Sequence, residues 1–273
     1  EHWIKVYNGR CAFLNDENLC DMHCQIGPKH MAFTCRQYPD FTIACDTYEV
    51  TGRTLSCPYV ANRIVREKSK TKLIVEGKSN DEYENEIFHI VNKCIEIAQD
   101  DSIKYRDREK AIIDYIRKEQ MYLVEKFKVD EIFMTEDNKT IWDYCDTLNS
   151  LNVVTEKWPK ILSQLEELEY SENDIVKFEE YLGDREKEYE NILVYFLYKH
   201  IMYGTNDGNV FQRVRFAIIA TRIIFMVGLM KFIENEEFTT EDNIKVAYIF
   251  SKEIEHDDEN IDTILEDISL GMI

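Results

Sequence analysis

The sequence predicts a mainly α fold, with a small irregular cysteine-rich N-terminal module packed on a multi-helix domain. Three observations predict it. Apolar residues recur at helical spacing through most of the chain beyond residue 82. Only 9 Gly and 4 Pro occur among 273 residues, few breakers for a chain that is 44% hydrophobic and 32% charged. Six of the eight cysteines fall in the first 57 residues, where turn signals interrupt every apolar run.

The module is expected over residues 1–67. Its first half reads "RCAFLNDENLCDMHCQIGPKHMAFTCRQYPDF", with Asn15-Asp16-Glu17-Asn18 as a turn between Cys11 and Cys20. The thiols are spaced Cys-x8-Cys-x3-Cys-x10-Cys-x9-Cys-x11-Cys, ending at Cys57. No Cys-x2-Cys pair occurs, so zinc-finger and zinc-ribbon spacing is absent, as is the bacterial ferredoxin run. Three readings stay open on composition: a metal or iron–sulfur site, a disulfide knot, which needs an oxidising compartment, and plain packing. His23 and His30 are able to ligate a metal but read first as surface histidines.

The charged stretch "REKSKTKLIVEGKSNDE", Arg66–Glu82, reads as a boundary, with "KLIV" as a short strand. The helical domain is expected over residues 68–273 and contains eight or nine helices. Ile87, Ile90, Val91, Cys94, Ile95 and Ile97 fall on or near one stripe. Ile112, Ile113, Ile116, Leu123 and Val124 form a second, and Leu162, Leu165 and Leu168 a third. Ser171 with Asp174, and Thr239 with Asp242, have the spacing of N-terminal caps, where a hydroxyl accepts from a free backbone N–H. Cys94 and Cys145 read as packing residues. "FAIIATRIIFMVGLM", Phe216–Met230, is 15 residues long and contains Arg222. A membrane span needs about 20 apolar residues, so this segment is expected as a buried core helix. With no signal peptide visible, a cytoplasmic protein with no membrane partner is expected.

The formal net charge is −20. Residues 1–67 hold 7 Lys+Arg against 8 Asp+Glu, and the remaining 26 against 45 place −19 on residues 68–273. Such a surface repels phosphate backbones and attracts cations such as lysine side chains, so no nucleic-acid partner is expected. There is no G-x-G-x-x-G after a strand, no P-loop, no G-x-S-x-G and no C-x3-C-x2-C run. Doubly wound nucleotide folds and ordinary radical S-adenosylmethionine chemistry are therefore not indicated.

"CAFLNDENLCDMH" followed by "FTCRQYPDF" resembles part of the CxxCxxCC-type cysteine-cluster proteins. "RTLSCPYVANRIV", Arg53–Val65, is similar to one branch of that group, the flagellin lysine-N-methylases (FliB-like proteins). So are "YENILVYFLYKHIMYGTNDGNVFQRVRFAIIATRII", Tyr189–Ile224, and "TTEDNIKVAYIFSKEIEHDDENIDTIL", Thr239–Leu265. Residues 68–185 match only as generic helix. The family's "C…CC" motif, upstream of the first matched cysteine, is not found in this sequence, which begins at Glu1.

The resemblance implies an iron–sulfur cluster, of the 4Fe–4S type, and methyl transfer from S-adenosylmethionine to lysine side chains of flagellin or another lysine-bearing protein. Cys11, Cys20, Cys35 and Cys57 match its cysteine pattern and are the expected ligands. Cys24 and Cys45 gain no support from it. Arg36, beside Cys35, is expected to act around the cluster, because an arginine balances thiolate charge. Glu255, His256 and Asn260 fall on family-like positions and are the candidates for holding the lysine or the methyl donor. A carboxylate can hold an ammonium, and a neutral base can take its proton before attack. Tyr195 and Tyr198 share a helix face. They read first as core tyrosines with paired hydroxyls and second as cofactor-binding residues. Glu253-x-x-His256 has di-iron spacing, but no second such pair exists, so a solvated helix end is the better reading. The alternative function is a non-catalytic metal-binding or redox-sensing protein that offers its helical surface to a partner.

Overall fold

A computed structural model describes residues 6–7, 10–17, 19–77, 79–134 and 139–273. The N-terminal part opens with a small antiparallel pair, β1 (Val6–Tyr7) and β2 (Arg10–Cys11). Two short helices follow, α1 (Asp21–Ile26) and α2 (Phe33–Gln37), then an antiparallel hairpin of β3 (Asp40–Ala44) and β4 (Glu49–Arg53). Helix α3 (Pro58–Val65) ends the region, with Pro58 at its first position, where the missing N–H is not needed. The turn between β3 and β4 is tied down by a buried carboxylate. Glu84 accepts from the Thr47 amide at 3.1 Å and from the Ser79 hydroxyl at 2.9 Å.

The rest is helical: α4 (Glu82–Ala98), α5 (Tyr105–Phe127), α6 (Ile141–Ser150), α7 (Trp158–Glu166), α8 (Glu172–Leu182), α9 (Glu186–Ile201), the single turn α10 (Gly204–Asp207), α11 (Val210–Asn235), α12 (Thr240–Ile254) and α13 (Asp258–Leu270). Nine of these, among the described residues, exceed a single turn, in line with the helix number the periodicity predicts. The stripes are buried as expected: Ile87, Ile90, Val91 and Cys94 on α4, Ile112 and Ile116 on α5, Leu162 and Leu165 on α7. Ile97 and Val124, at the stripe margins, are half-buried. The caps form as complete boxes at Ser171–Asp174 and Thr239–Asp242. "KLIV" forms no strand; Ile74 is 90% exposed and irregular. An isolated extended segment has no ladder partner to stabilise it.

Helix α11 is the axis of the molecule. It packs along α9 and also meets α5, α7, α8, α12 and α13. By length and composition it could cross a membrane, yet 72% of its most apolar 18-residue window is buried within the protein. The segment Phe216–Met230 is thus a core helix. Helix α3 packs on α9 and α12, and one contiguous apolar core joins Ile43, Val50 and Leu55 to the helices. Burial on this scale is the main stabilising term. The junction also sets the candidate site, because α9, α12, α3 and the β3–β4 hairpin meet there.

Candidate functional site around Glu255

Helix α9 is buried along most of its length, so several of its polar residues are placed in the interior. Tyr195, Tyr198 and Lys199 lie three and four residues apart and project from one side, toward the hairpin. Glu255 caps the C-terminus of α12, and its side chain is 0% exposed. Four groups converge on it. The Lys199 ammonium lies 2.7 Å from Oε1, His200 Nε2 lies 3.0 Å from the same oxygen, the Tyr195 hydroxyl donates to Oε2 at 3.0 Å, and the Ser251 hydroxyl donates to Oε2.

The protonation states follow from these contacts. Burial alone would raise the Glu255 carboxyl, but the Lys199 ammonium and the His200 hydrogen bond outweigh it and hold the group below the usual carboxylate range. Burial likewise opposes the charge on Lys199, and Glu255 overrides it, so the ammonium is held protonated. Burial pushes His200 down, and it is neutral, donating from Nε2. Burial and the adjacent Glu255 charge raise Tyr195, which keeps its proton.

Two aromatic rings complete the surroundings of Lys199. Its Nζ lies 5.2 Å from the Phe41 ring centroid and 5.9 Å from that of Tyr195, within cation–π range. Phe41 reaches this position because it pairs with Gly52 across the hairpin. A Cβ on Gly52 would stand 2.5 Å from the Phe41 ring, so glycine there leaves room for the ring to lie flat over β4.

The segment between β4 and α3 runs beneath the cluster. The Leu55 amide donates to the Tyr195 hydroxyl at 3.1 Å. Buried Ser56 pairs its hydroxyl with His256 Nε2 at 2.6 Å, and Tyr38 lies beside the imidazole with ring centroids 6.2 Å apart. Burial and the nearby Lys199 charge lower His256, so it is a neutral base at neutral pH.

A cleft of about 1490 Å³ opens beside this cluster. Its floor is α9, through Asn191, Val194, Tyr195 and Tyr198; one wall is β4 and the other is residues 71–77. Tyr195 therefore faces the cleft with its ring and binds Glu255 with its hydroxyl.

The expected site residues are distributed unevenly. Glu255, His256 and Tyr195 come together, and Tyr198 lies on the same cleft floor, donating to the Thr51 carbonyl at 2.7 Å. Asn260 stands apart: it accepts the Asn152 amide at 2.8 Å and donates to the carbonyls of Asn152 and Glu253. Its amide is committed to fixing the loop after α6, as is Glu253, which accepts the Val154 and Thr155 amides at 2.7 Å each. Arg36 is exposed on α2. Lys199, His200, Ser56 and Phe41 complete the site beyond the residues expected for it. Lys199 was detectable in principle, since a lysine within the largely apolar run "ILVYFLYKHI" requires a partner when that run is buried.

The cysteines do not assemble. All eight are free. Cys11 lies in β2, Cys20 caps α1, Cys24 is on α1, Cys35 is exposed on α2, and Cys57 caps α3. Among the described residues no three His, Cys, Asp or Glu side chains form a group able to hold a metal ion. The thiols are enough in number for an iron–sulfur cluster, and the four expected ligands stand on separate elements, Cys11 in β2, Cys35 in α2, with Cys20 and Cys57 at the starts of α1 and α3. His23 and His30 are exposed.

Geometry thus defines a mainly helical protein with a buried lysine–carboxylate–aromatic centre next to an open cleft. The family model described as the FliB lysine N-methylase C-terminal domain matches residues 91–270. The chain belongs to the FliB lysine N-methylase family. The matched span contains Tyr195, Lys199, His200, Glu255 and His256, and the β3–β4 wall lies outside it. No curated protein and no solved structure matches the chain.

Proposed function

We propose that the protein transfers a methyl group from S-adenosylmethionine to lysine side chains of a protein substrate, flagellin foremost, in the cleft beside Glu255. The family supports a methylase acting on lysine. The observation that carries the placement is Tyr195, shared between the cleft floor and the Glu255 cluster.

Methyl transfer forms a bond from lysine Nζ to the methyl carbon and breaks the carbon–sulfur bond, whose electron pair leaves with sulfur. The donor supplies an electrophilic methyl on a sulfonium. The chain must orient the amine and remove its proton, since only the neutral amine is nucleophilic. Lys199 is locked as an ammonium and is not the base. His256, neutral and paired through Nε2 with the Ser56 hydroxyl, is the candidate base of the cluster, although it does not itself line the cleft. Glu255, already compensated, fixes Tyr195 and Lys199 in place, and the Phe41 and Tyr195 rings provide the faces that favour an alkylammonium. The iron–sulfur cluster implied by the N-terminal resemblance remains a separate part of the proposal, on Cys11, Cys20, Cys35 and Cys57, and no step is routed through it.

The test is methyl transfer from isotopically labelled donor to flagellin, with peptide mapping of the modified residues. Label on lysines supports the reading. Absence of label, with a conformational change that follows redox state, would favour the non-catalytic sensor instead.

A further inference from the structure

Strand β4 has an unpaired edge, and the hydrogen-bond register shows which groups it offers. Cys45 donates to the Tyr48 carbonyl and Thr54 donates to the Pro39 carbonyl, so both of those pairs are hydrogen-bonded. Alternation along an antiparallel ladder then makes Ile43–Val50 and Phe41–Gly52 hydrogen-bonded pairs. Glu49, Thr51 and Arg53 therefore turn their N–H and C=O groups outward. Tyr198 confirms the assignment, because its hydroxyl reaches the outward Thr51 carbonyl. Among the described residues no backbone group pairs with this edge.

That edge forms the wall of the cleft, with all five residues of β4 lining it. The opposite wall, residues 71–77, is anchored at one end by paired bonds between Thr71 and Gln99, at 2.6 and 3.0 Å, and just beyond the other by Ser79 on Glu84. Between these anchors Ile74 and Val75 are exposed. On the floor, Asn191 is 4% exposed, and its Oδ1 is buried without a hydrogen-bond partner. An orphan buried acceptor is costly and calls for a donor from something that enters. The cleft exceeds the roughly 300–1,000 Å³ typical of a small-molecule site.

We infer that an extended, lysine-bearing segment of the protein substrate binds as a third strand on the outer edge of β4. Its backbone pairs with Glu49, Arg53 and the Thr51 N–H, the Thr51 carbonyl being shared with the Tyr198 hydroxyl, and alternate side chains point down onto Tyr195, Tyr198 and Asn191. Strand addition draws affinity from main-chain bonds and specificity from the pockets under alternate residues. It also gives an exposed edge a use, where such edges otherwise invite aggregation. The chain's net charge of −20 favours approach of a cationic segment. This inference rests on the reading of the chain as a protein-lysine methylase.

The experiment is amide-resolved hydrogen exchange on the full chain, with and without lysine-centred peptides tiled along flagellin, with methyl transfer to whole flagellin measured in parallel. The peptide that binds best should slow exchange of the Glu49, Thr51 and Arg53 amides about tenfold or more. Val50 and Gly52, already paired with β3, should change little. Thr51→Pro removes one outward N–H without touching the β3 ladder and should weaken peptide binding several-fold, whereas Thr51→Ser should not. Binding without protection of Thr51 and Arg53, or no binding by any tiled peptide, overturns the inference. Transfer to flagellin without edge protection sinks the strand-addition inference alone. Edge protection without transfer sinks the methylase reading alone and leaves a peptide-binding edge.

Discussion

The Tyr195 hydroxyl accepts the Leu55 amide at 3.1 Å and donates to the Glu255 carboxylate at 3.0 Å. This one group links the segment after the hairpin to the end of α12, and its ring faces the cleft. It couples the geometry of the cleft to a buried ion pair.

Removing the Glu255 charge should expose how strongly that pair is coupled to folding. Lys199 is 9% exposed and Glu255 0% at the side chain. Glu255→Gln leaves a buried ammonium without its counter-charge, a loss of about 3–5 kcal/mol. Chemical denaturation should show it, and Lys199→Met in the same chain should recover a large part.

Stability should fall in two stages on acidification. His200 and His256 are lowered in the folded state, so the unfolded chain binds more protons below about pH 6.5. Their contribution is present above that value and is lost as pH drops through the folded values. Glu255 is lowered too, and its contribution is present above about pH 4.3 and lost below. Denaturation midpoints across pH 2–8 check this, and His200→Gln should flatten part of the first stage.

Asn260 should separate structure from catalysis. It is 1% exposed and bonds only to backbone groups of residues 152 and 253. Asn260→Ala should lower stability by about 1–3 kcal/mol, through unpaired buried partners, and leave the turnover number of the folded enzyme unchanged. A large fall in turnover at full folding would restore Asn260 to the chemistry.

Thiol reactivity reads the N-terminal region. In metal-free protein, Cys24 and Cys35 are exposed and should react rapidly with a thiol reagent. Buried Cys94, and Cys145 with its thiol pushed up to about 11, should react only on unfolding. If anaerobically purified protein carries stoichiometric iron and sulfide, Cys11, Cys20, Cys35 and Cys57 should be protected together, and Cys35→Ser or Cys57→Ser should release the metal. Free thiols with no iron would remove the cluster from the proposal.

Much of the helical fold is legible in the sequence because burial and period coincide. The stripes on α4, α5 and α7, the caps at Ser171 and Thr239, and the core helix at Phe216–Met230 each carry a local signal. The β3–β4 hairpin carries a weak one, since "EVTGR" is mostly polar and its role depends on Gly52 meeting Phe41. At the site, Glu255, His256 and Tyr195 stand out through resemblance, whereas Lys199 and Ser56 are joined to them only by tertiary contacts spanning 56 and 200 residues. Asn260 shows the converse, a position that resembles its family while its side chain serves the loop after α6.

The most direct measurement is the initial rate of methyl transfer to flagellin lysines by the wild type beside Tyr195→Phe, with folding of both verified. The account predicts donor-dependent lysine methylation by the wild type. It also predicts a rate about 10- to 100-fold lower in the variant, because the Glu255 cluster and cleft lose their shared hydroxyl. Equal rates in the two proteins would contradict the placement of the site, and no transfer by either would contradict the function.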